Sequence, residues 1–173
     1  MRNCSVRDLT LAAVVAALYV VMGYFGSVFG LTFGPVQFRF AEALTVLPFL
    51  YPATAPGLAI GCLIVNLASP VGPLDIVFGT LATAAAAWLT MKAPRWYLAP
   101  LPPILTNLIV LPPIWAWTSV GAIDGAFWAA WAWNCLTFAV GQAGVCYVLG
   151  ALLLRALPAL PGLKPAAHPA ARS

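Results

Sequence analysis

Charge is the scarcest ingredient of this chain. Of its 173 residues only eight are basic and four acidic, against 63% hydrophobic. A mean hydropathy of +0.97 lies far outside the soluble globular range, which excludes a soluble catalytic domain. The basic residues are scattered singly, so the net charge of +4 is no nucleic-acid footprint. Histidine is almost missing: His168 stands alone in a Pro/Ala tail, and a histidine-held haem or zinc has no donors. Cys4, Cys62, Cys135 and Cys146 lack metal-ligand spacing and read as free thiols in apolar surroundings. No Walker-type loop occurs, so the chain does not hydrolyse ATP alone. It also lacks the two matched six-helix halves of a large secondary carrier. Neither a metal nor a cofactor is expected.

What the chain has instead is apolar sequence long enough for membrane helices, divided by turn residues. A first helix is expected from about Leu9 to Phe29. Its basic lead resembles a signal peptide, but it is too long and lacks a clear cleavage site, so it reads as retained. Gly30-Leu31-Thr32-Phe33-Gly34-Pro35 leads to a second segment, about Ala41 to Tyr51. Pro52-Ala53-Thr54-Ala55-Pro56 separates a third, about Gly57 to Ala68, and Ser69-Pro70-Val71-Gly72-Pro73 a fourth, Leu74 to Met91. The fifth runs from about Pro100 to Thr118 and the sixth from about Phe127 to Leu154. The expectation is an all-α integral membrane protein, a six-transmembrane-helix bundle with short or broken second and third helices. Residues 1–157 form its single domain, and 158–173 a disordered Pro/Ala-rich cytoplasmic tail.

The charges test this division. With six crossings and the N-terminus inside, Arg2, Arg7, Lys92, Arg95, Arg155, Lys164 and Arg172 fall on the inner side and Arg39 alone on the outer. That asymmetry follows the positive-inside rule for a plasma-membrane protein with both termini cytoplasmic. Trp115 and Trp117 face Trp128, Trp131 and Trp133 across the fifth loop at one water boundary, while Trp96 and Tyr97 mark the other. Segments two and three are short. As α-helix, about a dozen residues give about 18 Å against a core of about 30 Å. Short crossings and a re-entrant hairpin both return the chain to the same side, so charge does not separate them.

Three of the few charges interrupt apolar sequence: Arg39 and Glu42 in Phe38-Arg39-Phe40-Ala41-Glu42, and Asp75 in Pro73-Leu74-Asp75. An ionisable group in hydrocarbon costs several kcal/mol unless paired or facing a wet cavity, and so marks a functional site by default. Arg39 and Glu42 are spaced i, i+3 and can pair on a helix face. The plainer alternatives are a structural ion pair for these two and helix capping for Asp75. Convergence favours function. Arg39, Glu42, Asn66 and Asp75 all fall at the outer ends of segments two to four, and Asn107, Asn134 and Gln142 add amides in segments five and six. In the first helix, Ala12, Ala13, Ala16 and Ala17 form two overlapping small-xxx-small pairs. These suit either a close partner contact or packing within the bundle.

Val36-Gln37-Phe38-Arg39-Phe40-Ala41-Glu42-Ala43-Leu44-Thr45-Val46-Leu47-Pro48 resembles the signature of the QueT family of queuosine-precursor transporters. Gly57-Leu58-Ala59-Ile60-Gly61-Cys62-Leu63, Leu74-Asp75-Ile76-Val77-Phe78-Gly79-Thr80-Leu81-Ala82-Thr83 and Leu98-Ala99-Pro100-Leu101-Pro102-Pro103 continue the resemblance in order. It covers about Leu9 to Leu154. It implies a substrate-binding S component of an energy-coupling-factor (ECF) transporter. Such a subunit works with a transmembrane coupling protein and two cytoplasmic ATPases, and is not itself an enzyme. The implied ligand is a 7-deazaguanine queuosine precursor, in its aminomethyl form. The implied docking face is the set Ala12, Ala13, Ala16 and Ala17. For such a ligand Glu42 suits the base edge and Asp75 the ammonium, or the reverse, with Arg39 orienting Glu42 or donating to the carbonyl. Asn66, Asn107 and Gln142 complete the polar contacts, and Phe38, Phe40 or Phe78 supplies a stacking face. Two other readings stand beside this one: an S component for another vitamin-like ligand, and a small membrane-embedded enzyme.

Overall fold

The computed structural model describes residues 5–30, 38–160, 163 and 165, and every regular element among them is helical. The first helical segment is Val6–Val28, the second Phe40–Phe49, the third Pro52–Asn66, the fourth Asp75–Thr90, the fifth Trp96–Val120 and the sixth Gly125–Ala159. The first, fifth and sixth are long and apolar enough to cross a membrane, and the other three are shorter apolar helices. The chain is an all-α multi-pass membrane protein, and its second and third segments are short as their composition requires.

The first helix begins three residues before the expected Leu9, because Ser5 and Asp8 form a capping box. Ser5 Oγ accepts from the Arg7 amide at 3.3 Å, and Asp8 Oδ2 accepts from the Ser5 amide at 3.4 Å. Those bonds satisfy amide donors that have no partner within the helix. Further along the chain, Asp124 Oδ1 accepts from the amides of Ala126 and Phe127 at 2.9 and 3.0 Å and so starts the sixth helix.

The second segment is a ten-residue 3₁₀-helix rather than an α-helix, and Ala41 to Phe49 are all buried. A helix apolar all round belongs in the centre of a bundle. At about 2.0 Å per residue, ten residues of 3₁₀-helix span about 20 Å, against about 15 Å as α-helix. It passes from one end of the bundle to the other. At its start Arg39 meets Asn66 of the third segment. Beyond its end, Tyr51 clusters with Ala93, Ala99 and Leu154, and its hydroxyl donates to the Leu163 carbonyl at 3.2 Å.

The first and third segments cross closely. A Cβ on Gly57 would collide with the Ala12 carbonyl oxygen, and one on Gly61 would meet Tyr19 Cβ at 2.8 Å and the Ala16 carbonyl oxygen at 3.0 Å. Small residues on both helices make that approach possible. Val15 and Tyr19 then pack with Leu58, Cys62 and Val65 in one core cluster.

Single widened π-turns occupy Asp75–Gly79 and Val145–Gly150. Pro112 and Pro113 lie inside the fifth helix, where each lacks the amide that closes a helical bond. Asn134 Nδ2 of the sixth helix donates to the Pro112 carbonyl there, at 3.5 Å.

One end of the bundle gathers the start of the first helix, the turn after Phe49, the connector from the fourth to the fifth segment and the end of the sixth. Arg7, Lys92, Arg95 and Arg155 belong to this end, whereas Arg39 lies toward the other. Arg2, Lys164 and Arg172 lie outside the described residues, as do Cys4 and His168. So does most of the tail expected to be disordered. Leu157–Ala159 form a last helical turn, and Leu163 packs against a core cluster.

Candidate functional site

Glu42 is placed in the first turn of the buried second helix and is 0% exposed. A carboxylate there needs donors, since desolvating it unpaired costs far more than one hydrogen bond returns. Three helices supply them. Tyr19 Oη of the first donates to Oε1 at 2.7 Å. Asn107 Nδ2 of the fifth and Gln142 Nε2 of the sixth each donate to Oε2 at 3.3 Å. The Glu42 carbonyl also accepts from Thr45 Oγ1 at 2.6 Å and from Cys146 Sγ at 3.6 Å.

A second polar arm runs from Arg39. Its Nη2 donates to Asn66 Oδ1 at 3.1 Å, and Asn66 Nδ2 in turn donates to the Asp75 carbonyl at 3.1 Å and to Cys62 Sγ at 3.3 Å. Thr83 Oγ1 adds a donor to Cys62 Sγ at 3.2 Å. Asp75 Oδ2 accepts from Ser69 Oγ at 2.6 Å. The arm is tight against the fourth segment: a Cβ on Gly79 would lie 2.7 Å from Asn66 Nδ2 and 3.3 Å from Asp75 Oδ1. Only glycine leaves room there.

The six polar residues assigned to the ligand, Arg39, Glu42, Asn66, Asp75, Asn107 and Gln142, are at most 3% exposed, whereas Asn134 is half-buried. Their partners differ from the simplest expectation. The Arg39 guanidinium bonds Asn66 rather than Glu42, because Arg39 precedes the helix with a non-helical ψ of 83° and leaves its face. Glu42 is oriented by Tyr19, Asn107 and Gln142. Asp75 makes no side-chain cap; its carboxylate turns back to Ser69 instead.

The unspent groups are informative. Asp75 Oδ1, Asn107 Oδ1 and Gln142 Oε1 are buried acceptors with no partner among the described residues. The two amide oxygens face away from Glu42 because their nitrogens donate to it. Buried polar atoms are normally satisfied, so these three oxygens, one of them a carboxylate's own, have the capacity to accept from further donors. Of the stacking candidates, Phe38 and Phe40 are half-buried and Phe78 is 44% exposed.

Tyr19, Cys62, Ser69 and Thr83 belong to this network, and sequence reasoning passed over them. The signals were a phenol within a membrane span and the i, i+4 spacing of Cys62 and Asn66. The four alanines divide: Ala12 and Ala16 pack toward the third segment, whereas Ala13 and Ala17 are exposed.

A helical membrane bundle with two buried carboxylates and unspent acceptors at its centre defines a small, solute-handling membrane protein. The chain belongs to the QueT transporter family, whose model matches residues 9–159. The queuosine precursor transporter QueT of Lactococcus lactis subsp. cremoris (strain MG1363) is 32% identical over 83 residues. That stretch is 48% of this chain and 48% of the relative, so the match spans about half the length of that curated protein. No solved structure matches the chain.

Proposed function

We propose that this chain is the S component of an ECF-type ABC importer, capturing a 7-deazaguanine queuosine precursor from outside for ATP-driven uptake. The ligand proposed is 7-aminomethyl-7-deazaguanine. The observation that carries the reading is the donor-seeking character of the centre: Glu42 and Asp75 with the unspent oxygens of Asp75, Asn107 and Gln142. A guanine-like edge offers adjacent N–H donors, which suit a carboxylate and neighbouring amide oxygens. An aminomethyl group adds an ammonium, which a desolvated site accepts only beside an anion. Glu42 and its two amides serve the base edge, and Asp75 the ammonium. Arg39 is the cation available to the base carbonyl, and Asn66 holds it.

The chain binds and delivers rather than catalyses. Lacking a Walker loop, it depends on a transmembrane coupling protein and two cytoplasmic ATPases for energy. Ala13 and Ala17 are the exposed small residues offered to that partner. The basic end of the bundle faces the cytoplasm of a plasma-membrane protein, as the positive-inside rule directs. Calorimetric titration of the purified, detergent-solubilised protein with 7-aminomethyl-7-deazaguanine tests the ligand. Saturable one-to-one binding, with guanine and adenine much weaker, is expected. No binding of any deazaguanine base rules the ligand out.

A further inference from the structure

The basic end of the bundle carries a second feature, remote from Glu42. A cleft of about 370 Å³ opens between the fourth and fifth segments, walled by Leu89, Leu98, Leu101 and Leu105 with Lys92 among its lining residues. Leu105 is 50% exposed, so the cleft continues into the apolar flank of the bundle. Around it, three cations lie near aromatic rings. Lys92 Nζ sits 3.4 Å from the Trp88 ring centroid, the Arg95 guanidinium 5.8 Å from that of Tyr97 and the Arg155 guanidinium 5.1 Å from that of Trp96. Arg95 Nη1 also donates to Tyr97 Oη at 2.7 Å. A cation over a ring keeps N–H groups for an anion at the same time.

No carboxylate among the described residues pairs with these three cations. Glu42 and Asp75 lie in the buried centre, Asp8 closes the first helix's capping box, and Asp124 caps the sixth helix at the opposite end. The positive charge at the rim is therefore available. An apolar slot in the lipid-facing flank, topped by unpaired cations and interfacial Trp and Tyr, matches one molecule in particular. It is a phospholipid with an acyl chain and an anionic headgroup.

We propose that this cleft binds one anionic phospholipid. An acyl chain lies along Leu89, Leu101 and Leu105, and the headgroup phosphate is held by Lys92 and Arg95, with Arg155 adding charge. Zwitterionic lipids fill the same slot but leave the cations less well neutralised, so the site selects by headgroup charge. The inference rests on the membrane fold and is independent of the solute bound at Glu42.

Native mass spectrometry of the full chain in detergent tests it, with equimolar dioleoyl phosphatidylglycerol and phosphatidylcholine added. One phosphatidylglycerol adduct is expected, favoured at least fivefold over phosphatidylcholine. Lys92→Gln with Arg95→Gln should bring the ratio to parity, and Lys92→Arg should retain it. Leu105→Trp, at an exposed position where folding is undisturbed, should fill the slot and remove the adduct. Millimolar glycerol 3-phosphate, which has the anion but no chain, should not displace it. Equal retention of the two lipids by the wild type overturns the proposal. So does full displacement by glycerol 3-phosphate, which marks a plain anion site. If Leu105→Trp keeps the adduct but blocks assembly with a coupling protein, the cleft is a protein contact and the lipid assignment is wrong.

Discussion

Tyr19 and Glu42, 23 residues apart in sequence, share a buried 2.7 Å hydrogen bond that ties the first helix to the central 3₁₀-helix. Ala13 and Ala17 of the same helix are exposed, while Tyr19 holds the buried carboxylate. The helix thus has an exposed face with Ala13 and Ala17 and a buried face with Tyr19. A shift of the first helix would be felt at Glu42.

The Tyr19–Glu42 contact should show as coupling in a double-mutant cycle. Tyr19→Phe leaves Oε1 without its donor and should cost about 1–3 kcal/mol of stability. In a Glu42→Gln background the loss should shrink, giving an interaction term of about 0.5–3 kcal/mol. Thermal unfolding of the four proteins in detergent measures it. Strict additivity would mean that the bond contributes nothing.

Glu42→Gln and Asp75→Asn should each weaken binding of 7-aminomethyl-7-deazaguanine by about 2–5 kcal/mol, thirtyfold or more, while the protein still folds. The uncharged cyano analogue should lose less in Asp75→Asn than in Glu42→Gln, because only the aminomethyl form brings an ammonium. Wild-type affinity in both variants would make the carboxylates structural.

The alanines separate packing from docking. Ala12 is 8% exposed against the third segment, so Ala12→Trp should destabilise the fold by about 1–3 kcal/mol or more through overpacking. Ala13→Trp and Ala17→Trp reach outward; they should leave ligand affinity unchanged and abolish uptake in cells that express the ATPase module. Normal uptake by both outward variants would leave this face to lipid.

Orientation is open to labelling. In a background without the four native cysteines, Asp124→Cys should react with an impermeant maleimide on intact cells, and Arg95→Cys only after permeabilisation. The reverse pattern would invert the bundle.

Much of this molecule was legible in its sequence, and some of it was not. The six segments followed from apolar runs cut by Pro and Gly, because a membrane helix must satisfy its own backbone and be apolar along its length. Arg39, Glu42 and Asp75 stood out because charge in such sequence is costly, and all three are buried. Who bonds whom was decided only by the tertiary structure. Spacing on one helix offered Arg39 to Glu42, but Arg39 stands before the helix's first turn with a non-helical backbone and meets Asn66. The donors to Glu42 come from residues 23, 65 and 100 positions away, and no local pattern encodes such pairings. Likewise Ala12 and Ala13 are chemically identical neighbours. One is buried and the other exposed because Gly57 lets the third segment approach one side of the first helix alone.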